Sequence, residues 1–169
     1  MVTHVDGDLL KIQKELNLDV ICHQVNCQGV MGSGIAKQIR DTYPIVYENY
    51  KKKCDVFIKA NNKESLLGMI QIVGLYENYY KDIKHPAVCN FFSQYNYGYD
   101  GRRYTSYDAF WMCLNELKRS LPEGSTIGFP ARIGCDRGGA NWAVIEKMIE
   151  EVLGQDYFVY IVHYNGGKS

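Results

Sequence analysis

The sequence predicts an α/β domain built on a mixed, largely parallel sheet with helices on both faces. Three observations carry this. Strand-like and helix-like segments alternate along almost the whole chain, which is the trace that helical crossovers between parallel strands leave in a sequence. Two glycine-bearing loops each stand between a strand-like run and a helix-like run. The 169 residues carry no internal repeat and no linker, so one core and a single domain over residues 1–169 are expected.

The elements follow in order. Met1 to Val5 reads as a short first strand, and Asp8 to Leu16 as a helix through the spacing of Leu9, Ile12 and Leu16. Val20 to Asn26 is a strand running into glycines. Ser33 to Tyr43 is a helix with Ile35, Ile39 and Tyr43 on one face. Pro44 suits the first turn of a further helix through Tyr47 and Tyr50. The polar stretch Asp55 to Ser65 is expected to be a loop or a surface excursion. Met69 to Leu75 and Ala87 to Phe92 look like mostly buried strands, the second leading into a tyrosine-rich loop from Tyr95 to Tyr104. Thr105 or Ser106 caps a helix whose stripe is Phe110, Cys113, Leu114, Leu117 and Leu121, stopped by Pro122 and Gly124. Ile127 to Pro130 is a strand that enters the second glycine loop. Asn141 caps a helix that Gly154 ends, and Tyr157 to His163 is the last strand.

Composition excludes several classes of function. The 19 basic and 19 acidic side chains cancel, which argues against a protein that coats nucleic acid through clustered Lys and Arg. No apolar run approaches the roughly 20 residues of a membrane-spanning helix. The N-terminus lacks a basic start and an apolar h-region, so no signal peptide is expected. The six cysteines form no Cys-x-x-Cys pair and no zinc spacing with His. They read as reduced thiols of a cytoplasmic protein, with no metal and no cofactor. Cys27 and Cys135, each beside glycines, are the two that would serve as a thiolate nucleophile. His4, His85 and His163 have no companions in the sequence and are assigned to structure.

The first glycine loop is Asn26 to Ala36, entered by a buried strand and left by a helix. A helix N-terminus offers unpaired N–H groups and a partial positive charge, and glycines let a phosphate approach that backbone. The loop lacks the Lys-Ser/Thr end of an ATP-hydrolysing P-loop. It also misses the dinucleotide Gly-x-Gly-x-x-Gly register and follows the second strand rather than the first, which disfavours a nicotinamide-dependent oxidoreductase. Phosphate binding stands beside a tight turn in which glycines only relieve crowding. The second loop, Pro130 to Trp142, repeats the strand–glycine–helix order. Ligands of open α/β sheets sit outside the carboxyl ends of the strands, so two such loops at one edge suit a diphosphate like the one joining adenosine to a second ribose.

Taken together, these features resemble the macro domain family over nearly the whole chain. Gly7-Asp8-Leu9 is similar to that family's Gly-Asp-Ile/Leu signature, and His23-Gln24-Val25-Asn26 takes the place of its Asn-Ala-Ala-Asn. Gly32-Ser33-Gly34-Ile35-Ala36 matches its first phosphate loop. Ile133 to Trp142 is similar to the second loop of a branch reading Gly-Cys-Gly-Leu-Ala-Gly-Gly-Asp-Trp, which includes ADP-ribose-1″-phosphate processing proteins and, more distantly, terminal ADP-ribose glycohydrolases. There are departures. Phe92-Ser93-Gln94-Tyr95 carries no Lys where the glycohydrolase branch has its nucleophile, and the acid of that branch's second loop falls on Gly138. A covalent lysine mechanism is therefore not expected.

The resemblance implies a three-layer α/β/α macro domain fold with about six strands, ADP-ribose as small-molecule ligand, and hydrolysis of an ADP-ribose derivative at the distal ribose. Candidate substrates are ADP-ribose-1″-phosphate, O-acyl-ADP-ribose, or ADP-ribose esterified to protein carboxylates or nucleic acid, with no membrane partner. Asp8 and Leu9 would hold the adenine end. The N–H groups of Gly32, Ser33, Gly34 and Ile35 would hold the diphosphate from one side, and those of Gly134, Cys135, Asp136, Arg137, Gly138 and Gly139 from the other. Asn26 would contact the distal ribose and help place a water, with His23 or Asp136 assisting. Residue by residue, plainer roles compete: Asp8 as a helix cap, Asn26 as a turn stabiliser, His23 as a buried structural histidine on the face opposite Gln24. The tyrosines of 95–104 either wall the cleft or pack on one another. A non-catalytic module that recognises ADP-ribose or a related nucleotide signal is the rival reading.

Overall fold

A computed structural model describes residues 1–75 and 86–165 of the chain. His85 lies outside the described residues. The elements run β1 (Val2–Asp6), α1 (Leu9–Ile12), β2 (Val20–Val25), α2 (Gly34–Thr42), α3 (Pro44–Lys59), a 3-10 turn (Lys63–Leu66), β3 (Ile70–Val73), β4 (Ala87–Phe92), α4 (Tyr107–Ser120), β5 (Thr126–Pro130), α5 (Trp142–Leu153) and β6 (Phe158–His163). The six strands form one sheet in the order β1-β6-β5-β2-β4-β3. All pairings are parallel except that of β3 with β4.

Two large cores make the three layers, with a smaller cluster of Leu9, Leu18, Ile21 and Val162 beside them. On one face α4 and α5 cover Phe91, Phe129, Val159 and Ile161, and Phe91 meets Phe110 and Phe129 edge-on at 5.6 and 6.0 Å between ring centres. On the other, α2 and α3 cover Val25, Val88 and Phe92 with Ile39, Val46 and Tyr50. Alternation along β2 explains the split: Cys22 faces the first core and Val25 the second. Each fully buried aliphatic or aromatic side chain contributes roughly 1.5–3 kcal/mol.

Several expectations need correcting. Asp55–Ser65 is not a loop: α3 runs on to Lys59, and a 3-10 turn follows. The helix continues past Cys54 because Phe57, one turn on, still packs against the core of Val46, Tyr50 and Cys54, while Val56 and Ile58 face solvent. The strand expected over Met69–Leu75 shrinks to Ile70–Val73 and is an edge strand, with Ile72 exposed. The first helix stops at Ile12, and the chain then turns through Asn17 at φ 51°. Gly154 does end α5 as expected, and it does so in ordinary right-handed backbone, φ −62°. His4 and His163 are not isolated, because their Nδ1 and Nε2 atoms lie 2.7 Å apart and His4 Nε2 meets Glu146 Oε1 at 2.8 Å. Among the described residues no helix is long and apolar enough to cross a membrane, and no group of three or more His, Cys, Asp or Glu side chains is arranged to hold a metal ion.

Candidate ligand-binding cleft

The strands β2 and β5 are neighbours, yet they pair only through Val20↔Ile127 and Ile21↔Gly128. Beyond that point the pairing ends, and the chain leaves the two strands toward opposite faces, into α2 and α3 on one and α5 on the other. This is the crevice where open parallel sheets take ligands. A cleft of about 520 Å³ opens there, lined by Gly7–Leu9, Gln24–Asn26, Gly32–Ala36, Gln94, Tyr97–Tyr99, Pro130–Gly134, Asp136–Gly138 and Tyr164. The volume is in the usual range for a small-molecule site.

The first glycine loop is held from beneath. Asn26 Oδ1 accepts from Gln28 N–H at 2.9 Å and from the Tyr50 hydroxyl at 2.8 Å, and Asn26 Nδ2 donates to Val30 O at 2.8 Å. The Tyr50 hydroxyl in turn accepts from Val30 N–H at 3.1 Å. Asn26 is therefore a turn stabiliser that also lines the cleft, with one Nδ2 proton beyond the Val30 bond. Ser33 stands at the N-cap of α2 without a side-chain cap bond. The main-chain N–H groups of Gly32, Ser33, Gly34, Ile35 and Ala36 find no acceptor among the described residues. Asp8 caps α1, its Oδ1 accepting from Leu10 N–H at 3.0 Å, and lines the cleft alongside buried Leu9.

The second loop turns through left-handed backbone at Arg132 and Gly134 (φ 63° and 75°). Gly134, Asp136, Arg137 and Gly138 line the cleft, and their N–H groups also find no internal acceptor among the described residues. Asp136 is exposed and paired with Arg132 at 3.1 Å. The Arg137 guanidinium lies 3.9 Å over the Tyr99 ring, so the tyrosine-rich loop is cleft wall. That loop also packs on itself, with the Tyr104 hydroxyl donating to Asp100 Oδ1 at 2.9 Å.

Three expected site residues stand elsewhere. His23 is fully buried and does not line the cleft, its Nε2 against Asn90 Oδ1, and burial lowers its pKa to about 4. It is not an acid or base of this cleft, because the lining contributed by β2 begins only at Gln24 and the His23 ring is enclosed in the core against Asn90. Cys135 and Gly139 do not line the cleft either. The Cys135 thiol donates to Ile133 O at 3.4 Å, and Gly139 backs onto Arg102 and Arg103. Burial pushes the Cys135 thiol up to about 11 and the Cys27 thiol up to about 12, which leaves neither ionised as a nucleophile. Sequence reasoning missed Gln24, Gln94, Tyr50 and Thr105. Only Gln24 had a local signal, its alternation against His23.

No family model matches the chain. A 17.5 kDa uncharacterised protein of phage T4 is 29% identical over 155 residues, 89% of this chain and 88% of its own. An ADP-ribose 1″-phosphate phosphatase of Aspergillus oryzae is 27% identical across 94% of this chain and 92% of its own. A DNA ADP-ribosyl glycohydrolase of Mycobacterium bovis is 43% identical over 54 residues, which is 32% of this chain and only 14% of that protein. Among solved structures, the macrodomain of Thermus aquaticus DarG superposes with a TM-score of 0.70 at 21% identity, covering 98% of both chains. Thermosipho africanus DarTG in complex with ADP-ribose gives a TM-score of 0.71 at 19% identity, over 99% of this chain and 42% of that one. With six strands in three layers and the cleft at the carboxyl end of β2 and β5, the chain has the macrodomain fold.

Proposed function

We propose that the cleft binds ADP-ribose and that the chain hydrolyses an ADP-ribose derivative at the distal ribose. One observation carries the binding: two rows of main-chain N–H groups, Gly32–Ala36 and Gly134 with Asp136–Gly138, line one cleft without acceptors among the described residues. Preorganised dipoles of this kind hold a diphosphate without side-chain rearrangement. The carboxylate of Asp8, with one oxygen committed to the cap, offers the other to the adenine amino group. The remaining Asn26 Nδ2 proton offers one donor beside the distal ribose, to a ribose hydroxyl or to an attacking water that an α-phosphate oxygen also holds. The names of the relatives, a phosphatase and a glycohydrolase acting on ADP-ribose derivatives, support hydrolysis. The candidate substrates are ADP-ribose-1″-phosphate, O-acyl-ADP-ribose and ADP-ribosyl esters of protein carboxylates or of nucleic acid.

The burial of His23 favours a second reading. It leaves Asp136 as the acid–base candidate near the distal ribose, and that carboxylate is solvent-exposed and paired with Arg132. A non-catalytic ADP-ribose module needs only the N–H rows. Calorimetry against ADP-ribose, NAD and ATP tests the binding. Micromolar preference for ADP-ribose supports it, and no heat at about 1 mM ligand, the weak end of specific binding, overturns it. Turnover of the candidate substrates by wild type and Asp136→Ala divides enzyme from reader: release of ADP-ribose by wild type that falls in the variant supports the enzyme, and no release from any of them leaves the reader.

A further inference from the structure

The second glycine loop is held from behind by a buried polar network that the ligand reading does not use. Ser106, not Thr105, caps α4, its Oγ accepting from Ala109 N–H at 3.1 Å. The Thr105 side chain is thereby released for another task. Thr105 is 2% exposed, and its hydroxyl donates to Gly134 O at 2.7 Å while accepting from Gln24 Nε2 at 2.9 Å. Gln24 cannot turn over, because its other Nε2 proton goes to Gln94 Oε1 at 2.6 Å and its Oε1 accepts from the buried Ser93 hydroxyl at 2.7 Å. Thr105 also acts through its main chain. Its N–H and that of Tyr104 both donate to Gly138 O, at 3.0 and 2.8 Å.

In a trans peptide the carbonyl of one residue and the N–H of the next point in opposite directions. A peptide flip in this loop would turn a carbonyl oxygen toward a bound phosphate, replacing attraction by repulsion. The Gly134 carbonyl accepts from Thr105 and Ala140 and the Gly138 carbonyl from Tyr104 and Thr105, all behind the loop. Their own peptides carry the N–H groups of Cys135 and Gly139, outside the cleft, so these bonds anchor both ends of the turn whose Asp136, Arg137 and Gly138 N–H groups line it. Glycine at 138 fits the same picture, because a Cβ there would overlap Thr105 Oγ1 and the Gly134 carbonyl oxygen. We propose that Thr105 is a positioning residue for the second loop: its hydroxyl, aimed by Gln24, holds the Gly134 carbonyl out of the cleft and keeps the loop's N–H groups presented to an anionic ligand. This deepens the ADP-ribose reading and rests on it for the identity of the ligand.

The test compares wild type with Thr105→Val, which keeps the shape and removes the hydroxyl, and with Thr105→Ser, which restores it. Calorimetry with ADP-ribose and separately with inorganic pyrophosphate reads the anion site. Amide exchange of the free protein reads the loop at Ala140, whose N–H bonds to Gly134 O at 3.0 Å. The expected result is tenfold or greater loss of affinity in Thr105→Val, recovery to within about threefold in Thr105→Ser, and faster exchange at Ala140 in the valine variant alone. A residue that merely stabilises the fold would lower the melting temperature without separating Val from Ser in affinity. Wild-type affinity and exchange in a folded Thr105→Val overturn the proposal; if that variant does not fold, Thr105→Ala takes its place. Pyrophosphate binding without ADP-ribose binding in wild type sinks the ligand identity but leaves the positioning role measurable. Binding of neither by wild type sinks both.

Discussion

The phenolic oxygen of Tyr50 lies 2.8 Å from both the side-chain and the main-chain oxygen of Asn26. One hydroxyl proton thus serves two acceptors while its lone pair takes Val30 N–H at 3.1 Å, and the start of the first glycine loop is tied to the middle of α3. Tyr50→Phe removes this tie without changing the packing. The expected cost is about 1–3 kcal/mol, since buried groups lose their partner, which is a fall of roughly 3–10 °C in Tm. ADP-ribose affinity should fall at least tenfold as the loop loosens, read by calorimetry below the new Tm.

Acid should weaken the fold through His23. Its folded pKa is about 4 against an ordinary 6.5, because burial penalises the imidazolium. Between those values the unfolded chain binds the extra proton, so stability is complete above about pH 6.5 and is lost as pH falls toward 4. The loss approaches about 3 kcal/mol at the low end. Melting curves across this window for wild type and His23→Gln should show a shallower slope in the variant. ADP-ribose binding at pH 7.5 should be the same in both; a large loss in the variant would return His23 to the cleft.

Every cysteine is buried and free. Burial raises the thiols of Cys22, Cys27, Cys54, Cys113 and Cys135. Native protein should therefore react with a thiol reagent at pH 8 at least a hundredfold more slowly than the unfolded chain, whose thiols titrate near 8.5. Fast labelling of Cys27 or Cys135, identified by mass spectrometry, would contradict the burial seen here.

Gly138→Ala should be costlier than an ordinary surface substitution. Its methyl would overlap Thr105 Oγ1 and the Gly134 carbonyl oxygen, so the loop must shift. A loss of about 1–3 kcal/mol is expected from the overpacking, together with a drop in ADP-ribose affinity of at least tenfold. Gly124→Ala makes a useful contrast, because nothing lies near its Cβ and the whole cost is backbone strain at φ 82°.

The fold was readable because its signals are local. Short apolar runs marked β2 and β4, and the Asn141 cap opened α5 where Asn141 Oδ1 accepts from Ala143 N–H at 2.9 Å. The loops were readable as glycine runs between strand and helix. What could not be read is what depends on distance along the chain. Tyr50 reaches Asn26 across 24 residues and Gln24 reaches Thr105 across 81, with no sequence pattern linking either pair. The Asp55–Ser65 error has another cause. The fully buried stripe of this surface helix, Val46, Tyr50 and Cys54, ends one turn before the helix does; the last turn packs inward only through the partly buried Phe57, and the polarity that follows imitates a loop.

The root of the groove has its width set by main chain alone. Where Val20 sits beside Ile127 and Ile21 beside Gly128, the backbones keep the spacing of any paired strands, about 4.8 Å, whatever side chains they bear. A lineage exploring new substrates could not readily widen that hinge-like origin by point replacement. Divergence in taste would accumulate instead at the outer lips, where Tyr97, Tyr99, Arg137 and Tyr164 can be exchanged without unpairing a strand.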